Sequence, residues 1–277
     1  MAEMPWRRIL TALLLAPAAI ALILVAPSPI VWGAFSLLML VGAWEWARLA
    51  GVRVAAGRGA HVAITLLAMI LIARGGEGWP QLAYGVAVAG ILWWGLALLL
   101  VMRGPLGNTP SPRPSSLKLL AGHLVLLPCW YSLLALHDRS ENGPTLVLYI
   151  VALMWVVDSG AYFAGRRWGR RKLAPRVSPG KTWEGVGGAL VAAALYALLL
   201  GEVVLPGQAG ILLLLSLLLV PVSIVGDLLV SVMKREAGVK DTGTLFPGHG
   251  GLLDRFDSLT ASAPFFYAGL HSLELLP

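Results

Sequence analysis

Charged side chains are scarce, only 13% of 277 residues, against about 25% in an ordinary soluble domain. The shortage is uneven, because long stretches carry no charge at all. That excludes a globule solvated on every side. Cysteine is nearly absent too. Cys129 stands alone, so an intrachain disulfide is impossible, and its apolar setting makes it a small buried hydrophobe that says nothing about redox compartment. Internal repeats and nucleic-acid-binding modules are also missing. A net charge of +7 does not by itself make a nucleic-acid binder, and here the basic residues adjoin apolar runs.

What the chain has instead is hydrocarbon: 58% hydrophobic residues and a mean hydropathy of +0.79. A bilayer core about 30 Å thick takes about 20 apolar residues per helical span, and such runs recur throughout. Nine spans are expected, at about 9–26, 30–49, 60–73, 82–102, 117–136, 144–164, 185–205, 209–230 and 258–276. Helix breakers punctuate them at Pro27 and Pro29, Gly57 and Gly59, Gly75 to Pro80, and in the proline-rich 104–116 segment. The third run is short. Its roughly 14 residues rise about 21 Å, so it must be longer, buried or set in thinned bilayer. Arg7 and Arg8 before Ile9 imitate a secretory signal. Further spans follow at once, with no small-x-small cleavage site before Pro27, so this is read as the first retained span.

The expected fold is therefore an all-α, polytopic membrane bundle. Residues 1–116 form an N-terminal set of about four spans, and 117–277 form a C-terminal region of about five that holds the chemistry. With the N-terminus in the cytoplasm, 19 of the 21 Lys and Arg residues fall inside, leaving Arg74 and Arg139 outside. The positive-inside rule favours that orientation and requires the third span to be counted. The expectation is a multi-pass plasma (inner) membrane protein with two polar segments, 165–184 and 227–258, on the cytoplasmic side. A basic face there also attracts anionic lipid and nucleotide phosphates.

The 227–258 segment gathers Asp227, Lys234, Arg235, Lys240, Asp241, Asp254, Arg255 and Asp257 with a Gly-His-Gly-Gly turn. If the eighth helix continues, Asp227, Ser231 and Lys234 share one face. An unpaired carboxylate at the membrane boundary is costly, which marks Asp227 as a functional candidate. Asp254 and Asp257 share a face at the start of the ninth span. Asp227, Asp254 and Asp257 together would suit a hard cation such as Mg2+, alone or with a second cation. Gly248, Gly250 and Gly251 let backbone N–H groups approach a phosphate, and Lys234, Arg235, Lys240 and Arg255 supply positive charge. The competing reading is a solvated loop of salt-bridged charges, which rarely gathers such a set around two span ends.

Asp158, late in an apolar span, needs a polar cavity or a partner such as an Arg from 166–171. Glu45, between Trp44 and Trp46, reads as an interfacial anchor. His249 suits phosphate binding, proton transfer or a turn-stabilising role. The Ser178-Pro-Gly-Lys-Thr182 stretch looks like a P-loop, but Pro175 stands where the motif needs its first glycine, and no strand is expected before it. A helix start at Thr182 is the alternative.

The run from Ser231-Val-Met-Lys-Arg235 through Lys240-Asp-Thr-Gly243 to Pro247-Gly-His-Gly-Gly-Leu-Leu-Asp-Arg-Phe-Asp257 resembles the signature of the phosphatidate cytidylyltransferases (CDP-diacylglycerol synthases) of bacterial type. The 178–185 segment and the multi-span layout look like the same family. The N-terminal half matches only as apolar spans. The resemblance implies transfer of CMP from CTP to phosphatidate by in-line attack on the α-phosphorus. It assigns catalysis to Asp227, Lys234, Asp254 and Asp257, the first, third and fourth also holding Mg2+. Substrate binding falls to Asp158, Ser178, Lys181, Thr182, Ser231, Arg235, Lys240, Asp241, His249, Gly250, Gly251 and Arg255. The implied partners are CTP, phosphatidate and the bilayer, with a homodimer as the alternative to a monomer. The rivals are a CDP-archaeol synthase, a polyprenol kinase and, from another class, an anion transporter. A transporter would pair polar residues across the middle of several spans, where this chain has almost none.

Overall fold

The computed structural model describes residues 16–79, 81–103, 114–138, 142–245 and 250–276. His249, Gly248 and Arg139 lie outside the described residues. Nine helices are present among those described: α1 (Ala16–Val25), α2 (Ser28–Leu49), α3 (Ala55–Gly78), α4 (Leu82–Arg103), α5 (Ser116–Asp138), α6 (Gly143–Trp168), α7 (Trp183–Val204), α8 (Ala209–Ala237) and α9 (Leu253–Ser272). Seven of them, α2 to α8, are long and apolar enough to cross a membrane. Their outward residues are hydrocarbon, for example Leu67 and Leu71 on α3, Leu92 and Leu99 on α4, and Leu198 and Leu199 on α7. Such a continuous apolar surface suits lipid rather than water.

The third expected span is corrected upward. α3 has 24 residues, a rise of about 36 Å, because the glycines taken as breakers lie inside it. A side chain at Gly76 would collide with the Tyr131 hydroxyl, and one at Gly75 with Leu82. These positions trade helix propensity for close packing.

α9 differs from the expected ninth span. It begins at Leu253 and carries Asp254, Arg255 and Asp257 in its first turns. It is not apolar enough to count among the candidate spans, yet it packs against α2, α4, α5, α6 and α8. Its run from Asp257 to Pro264 is buried. A helix surrounded by other helices can carry Thr260 and Ser262, because its environment is protein rather than lipid.

The one non-helical element among the described residues is a short antiparallel pair, β1 (Lys172–Ala174) and β2 (Ser178–Thr182). The expectation of no strand here is thus corrected: β2 is the Ser178–Thr182 motif itself. Glu184 anchors the pair by accepting from the backbone N–H groups of Arg170 and Arg171 at 3.1 and 3.2 Å. Thr182 caps α7, its Oγ1 accepting from Gly185 N at 3.1 Å. α6 and α7 cross closely where Gly160 faces Gly188 and Gly165 faces Gly185.

A candidate active site at one end of the bundle

α8 has 29 residues and extends past its expected end near residue 230. It stops at Gly238, whose left-handed φ of 69° turns the chain while Val239 N bonds Lys234 O at 3.0 Å. This leaves Lys234 and Arg235 in its last turn. Asp227 and Ser231 share the face expected for them, Ser231 Oγ donating to Asp227 Oδ1 at 3.2 Å.

Lys181, on β2, reaches Asp227 Oδ2 at 2.5 Å with both side chains partly open to solvent. Arg235 Nε donates to Val177 O at 3.2 Å and holds the strand pair against α8. The two polar segments are therefore one site. Asp158 of α6 joins it. Its electrostatic neighbours are Asp227, Lys181 and Arg255, and it hydrogen-bonds Ser258. No Arg of 166–171 fills that role, and Arg166 instead donates to the Tyr162 hydroxyl at 2.6 Å. Asp257, 8% exposed, lies in the field of Asp227, Asp158 and Lys181, and accepts from Ser258 N at 2.8 Å. Gly226 makes this approach possible, because a side chain there would strike Asp257 O. Three carboxylates thus face two cations. Repulsion among them favours binding of additional positive charge.

Asp254 sits in a different set. Its Oδ1 accepts from Lys234 Nζ at 2.6 Å, and its Oδ2 from Thr242 N, Thr242 Oγ1 and Gly251 N at 2.8, 3.0 and 3.0 Å. The structure therefore gathers Asp158 rather than Asp254 with Asp227 and Asp257. Among the described residues no three carboxylate, imidazole or thiol groups form a ready cation cage. The ligand set Asp227, Asp254 and Asp257 is not assembled as expected, because Asp254 is committed to Lys234 and to the loop before α9. Gly250 has a left-handed φ of 82°, which glycine adopts without strain, and this turns the chain so that Gly251 N meets Asp254. Lys240 and Asp241 are solvent-exposed beside this turn, and Ser178 is half-buried on β2.

Glu45 is the residue that sequence reasoning misplaced. It is 5% exposed, not an interfacial anchor. Its carboxylate accepts from Leu252 N, Leu253 N and Thr242 Oγ1 at 2.9, 2.9 and 2.8 Å. It so caps α9, whose own N-cap Leu252 has no side-chain acceptor. An isolated carboxylate within an apolar run was the signal that could have marked it.

The sequence profile of the cytidylyltransferase family matches residues 6–273. The phosphatidate cytidylyltransferase of Pseudomonas aeruginosa is 43% identical over 270 residues, 95% of each chain. That of Haemophilus influenzae is 39% identical over 251 residues, 84% of this chain and 87% of the relative. That of Brucella suis is 37% identical over 231 residues, 81% and 71%. With its polar segments folded into one site at the end of an apolar bundle, the chain belongs to the cytidylyltransferase family.

Proposed function

We propose that this protein is a phosphatidate cytidylyltransferase, transferring CMP from CTP to phosphatidate to give CDP-diacylglycerol and pyrophosphate. The observation that carries the reading is the Lys181–Asp227 ion pair, which unites both polar segments in a chain of this family. The orientation of the basic residues supports a site on the cytoplasmic side of the plasma (inner) membrane.

The nucleophile in this reaction is a phosphate monoester oxygen with a second pKa of about 6. It is largely ionised at neutral pH and needs no strong base to take a proton. The task for the protein is to bring two polyanions together and stabilise the departing pyrophosphate. Lys181 and Arg255, beside the carboxylates, draw the phosphates in. Lys234, fixed by Asp254, meets the charge that develops on the leaving group. Ser178 offers a hydroxyl on the same strand as Lys181, and Thr182 acts through its cap on α7. Arg235 holds the strand pair, and Lys240, Asp241, Gly250 and Gly251 line the approach.

Asp227 and Asp257, with Asp158 beside them, are the residues that would hold Mg2+. Their hard oxygen donors and unbalanced charge fit such an ion, with substrate phosphates completing the shell. Bound there, the ion would supply neutralisation of the developing phosphate charge.

The test is purified full-length protein in mixed micelles with CTP, phosphatidate and Mg2+. Pyrophosphate should appear in step with CDP-diacylglycerol and stop when EDTA is added. Release of CDP instead would identify a lipid kinase, and no release with any divalent cation would overturn the reading.

A further inference from the structure

Glu45 lies on α2, far in sequence from the polar segments, yet every hydrogen bond described for its carboxylate leads to them. Both oxygens are engaged: Oε1 by Leu252 N, Oε2 by Leu253 N and Thr242 Oγ1. The surrounding backbone is shaped to it. A side chain at Gly243 or at Gly251 would collide with the Glu45 carboxylate. A simple helix cap would end at the two α9 amides. Glu45 goes further, because Thr242 Oγ1 lies 2.8 Å from Glu45 Oε2 and 3.0 Å from Asp254 Oδ2. A hydroxyl has one hydrogen, so the two carboxylates share it. Asp254 in turn holds Lys234 at 2.6 Å. The chain of contacts runs unbroken from α2 to the lysine on α8.

We infer that Glu45 is a positioning residue for the reaction, fixing Thr242, Leu252 and Leu253 and, through Thr242 and Asp254, the direction of Lys234. The inference rests on the proposed cytidylyltransferase activity. It predicts a defect in turnover rather than in substrate capture, because Lys234 is aimed at charge that appears only as the pyrophosphate departs.

The experiment compares the parent with Glu45→Gln, Thr242→Val and the double variant, all as folded full-length protein well below the unfolding temperature. Glutamine keeps the volume but presents an amide donor where a backbone donor already points. Glu45→Gln should lower kcat by about tenfold or more, with both KM values within about threefold of the parent. The double variant should lose less than the product of the two single losses, since both act on Lys234 through the same chain of contacts. A smaller loss of kcat, a loss confined to KM, or multiplicative losses in the double variant would each overturn the inference. A residue that served only stability would show full kcat per folded molecule and a lower unfolding temperature. Should Glu45→Gln fail to fold, Thr242→Val and Glu45→Asp decide by the same kcat and KM criteria. Pyrophosphate release by the parent separates this outcome from a failure of the functional reading.

Discussion

Asp227 is where the two polar segments meet, and its environment sets what a substitution does. One oxygen accepts from Ser231 and the other pairs with Lys181. Asparagine keeps the shape, loses the charge and breaks the ion pair with Lys181. Asp227→Asn should lower turnover by about a hundredfold or more, while the protein still inserts and elutes as a folded species. Retention of most of the pyrophosphate release would remove Asp227 from the reaction. The four-residue step from Asp227 to Ser231 was readable in sequence, because helical geometry is local. The partners of Glu45 were not, since they lie 197 to 208 positions away. Only the packing of α2 on α9 brings them together.

At the scale of elements, close backbone approach places the carboxylates. Gly226 on α8 faces Asp257 O and Ala261 on α9. Replacing it with alanine gains up to about 1 kcal/mol in helix propensity. Overpacking costs about 1–3 kcal/mol, and here the obstacle is a backbone carbonyl that cannot swing aside. The clash should win. Gly226→Ala should lower the thermal unfolding temperature and reduce turnover further than the lost stability explains, because α9 carries Asp257 away from Asp227. Unchanged unfolding and unchanged turnover would show that α8 and α9 do not depend on this contact. The helices were legible in sequence because hydropathy reports them directly. The strand pair was not, since three- and five-residue strands containing Lys, Pro and Gly carry no alternating pattern. The ends of α3 were hidden by glycines, of which Gly57, Gly75 and Gly76 serve close packing rather than turns.

Across the whole molecule, the orientation is open to direct measurement, and the lone cysteine makes it practical. Cys129 is fully buried, so the parent should resist a membrane-impermeant maleimide. In a Cys129→Ala background, a cysteine replacing Arg176 in the exposed turn between β1 and β2 should label in inverted vesicles alone. One replacing Glu77 at the exposed end of α3 should label in right-side-out vesicles alone. The reverse pattern would overturn the cytoplasmic placement. The apolar outer surface of α3, α4 and α7 was legible as composition. The polar centre made by α9 was not, because a helix enclosed by other helices need not look like a membrane span.

The length of α8 has a consequence for kinetics. Its 29 residues rise about 44 Å, more than the roughly 30 Å hydrocarbon core. That excess lets the turns bearing Lys234 and Arg235 reach the layer of lipid headgroups. In the proposed reaction the lipid substrate meets the site without leaving its leaflet, arriving by diffusion in two dimensions. Its effective concentration is a mole fraction of the surrounding lipid, not an amount per volume. Diluting phosphatidate with inert lipid slows the reaction even when the bulk concentration is unchanged, whereas CTP saturates as an ordinary dissolved substrate.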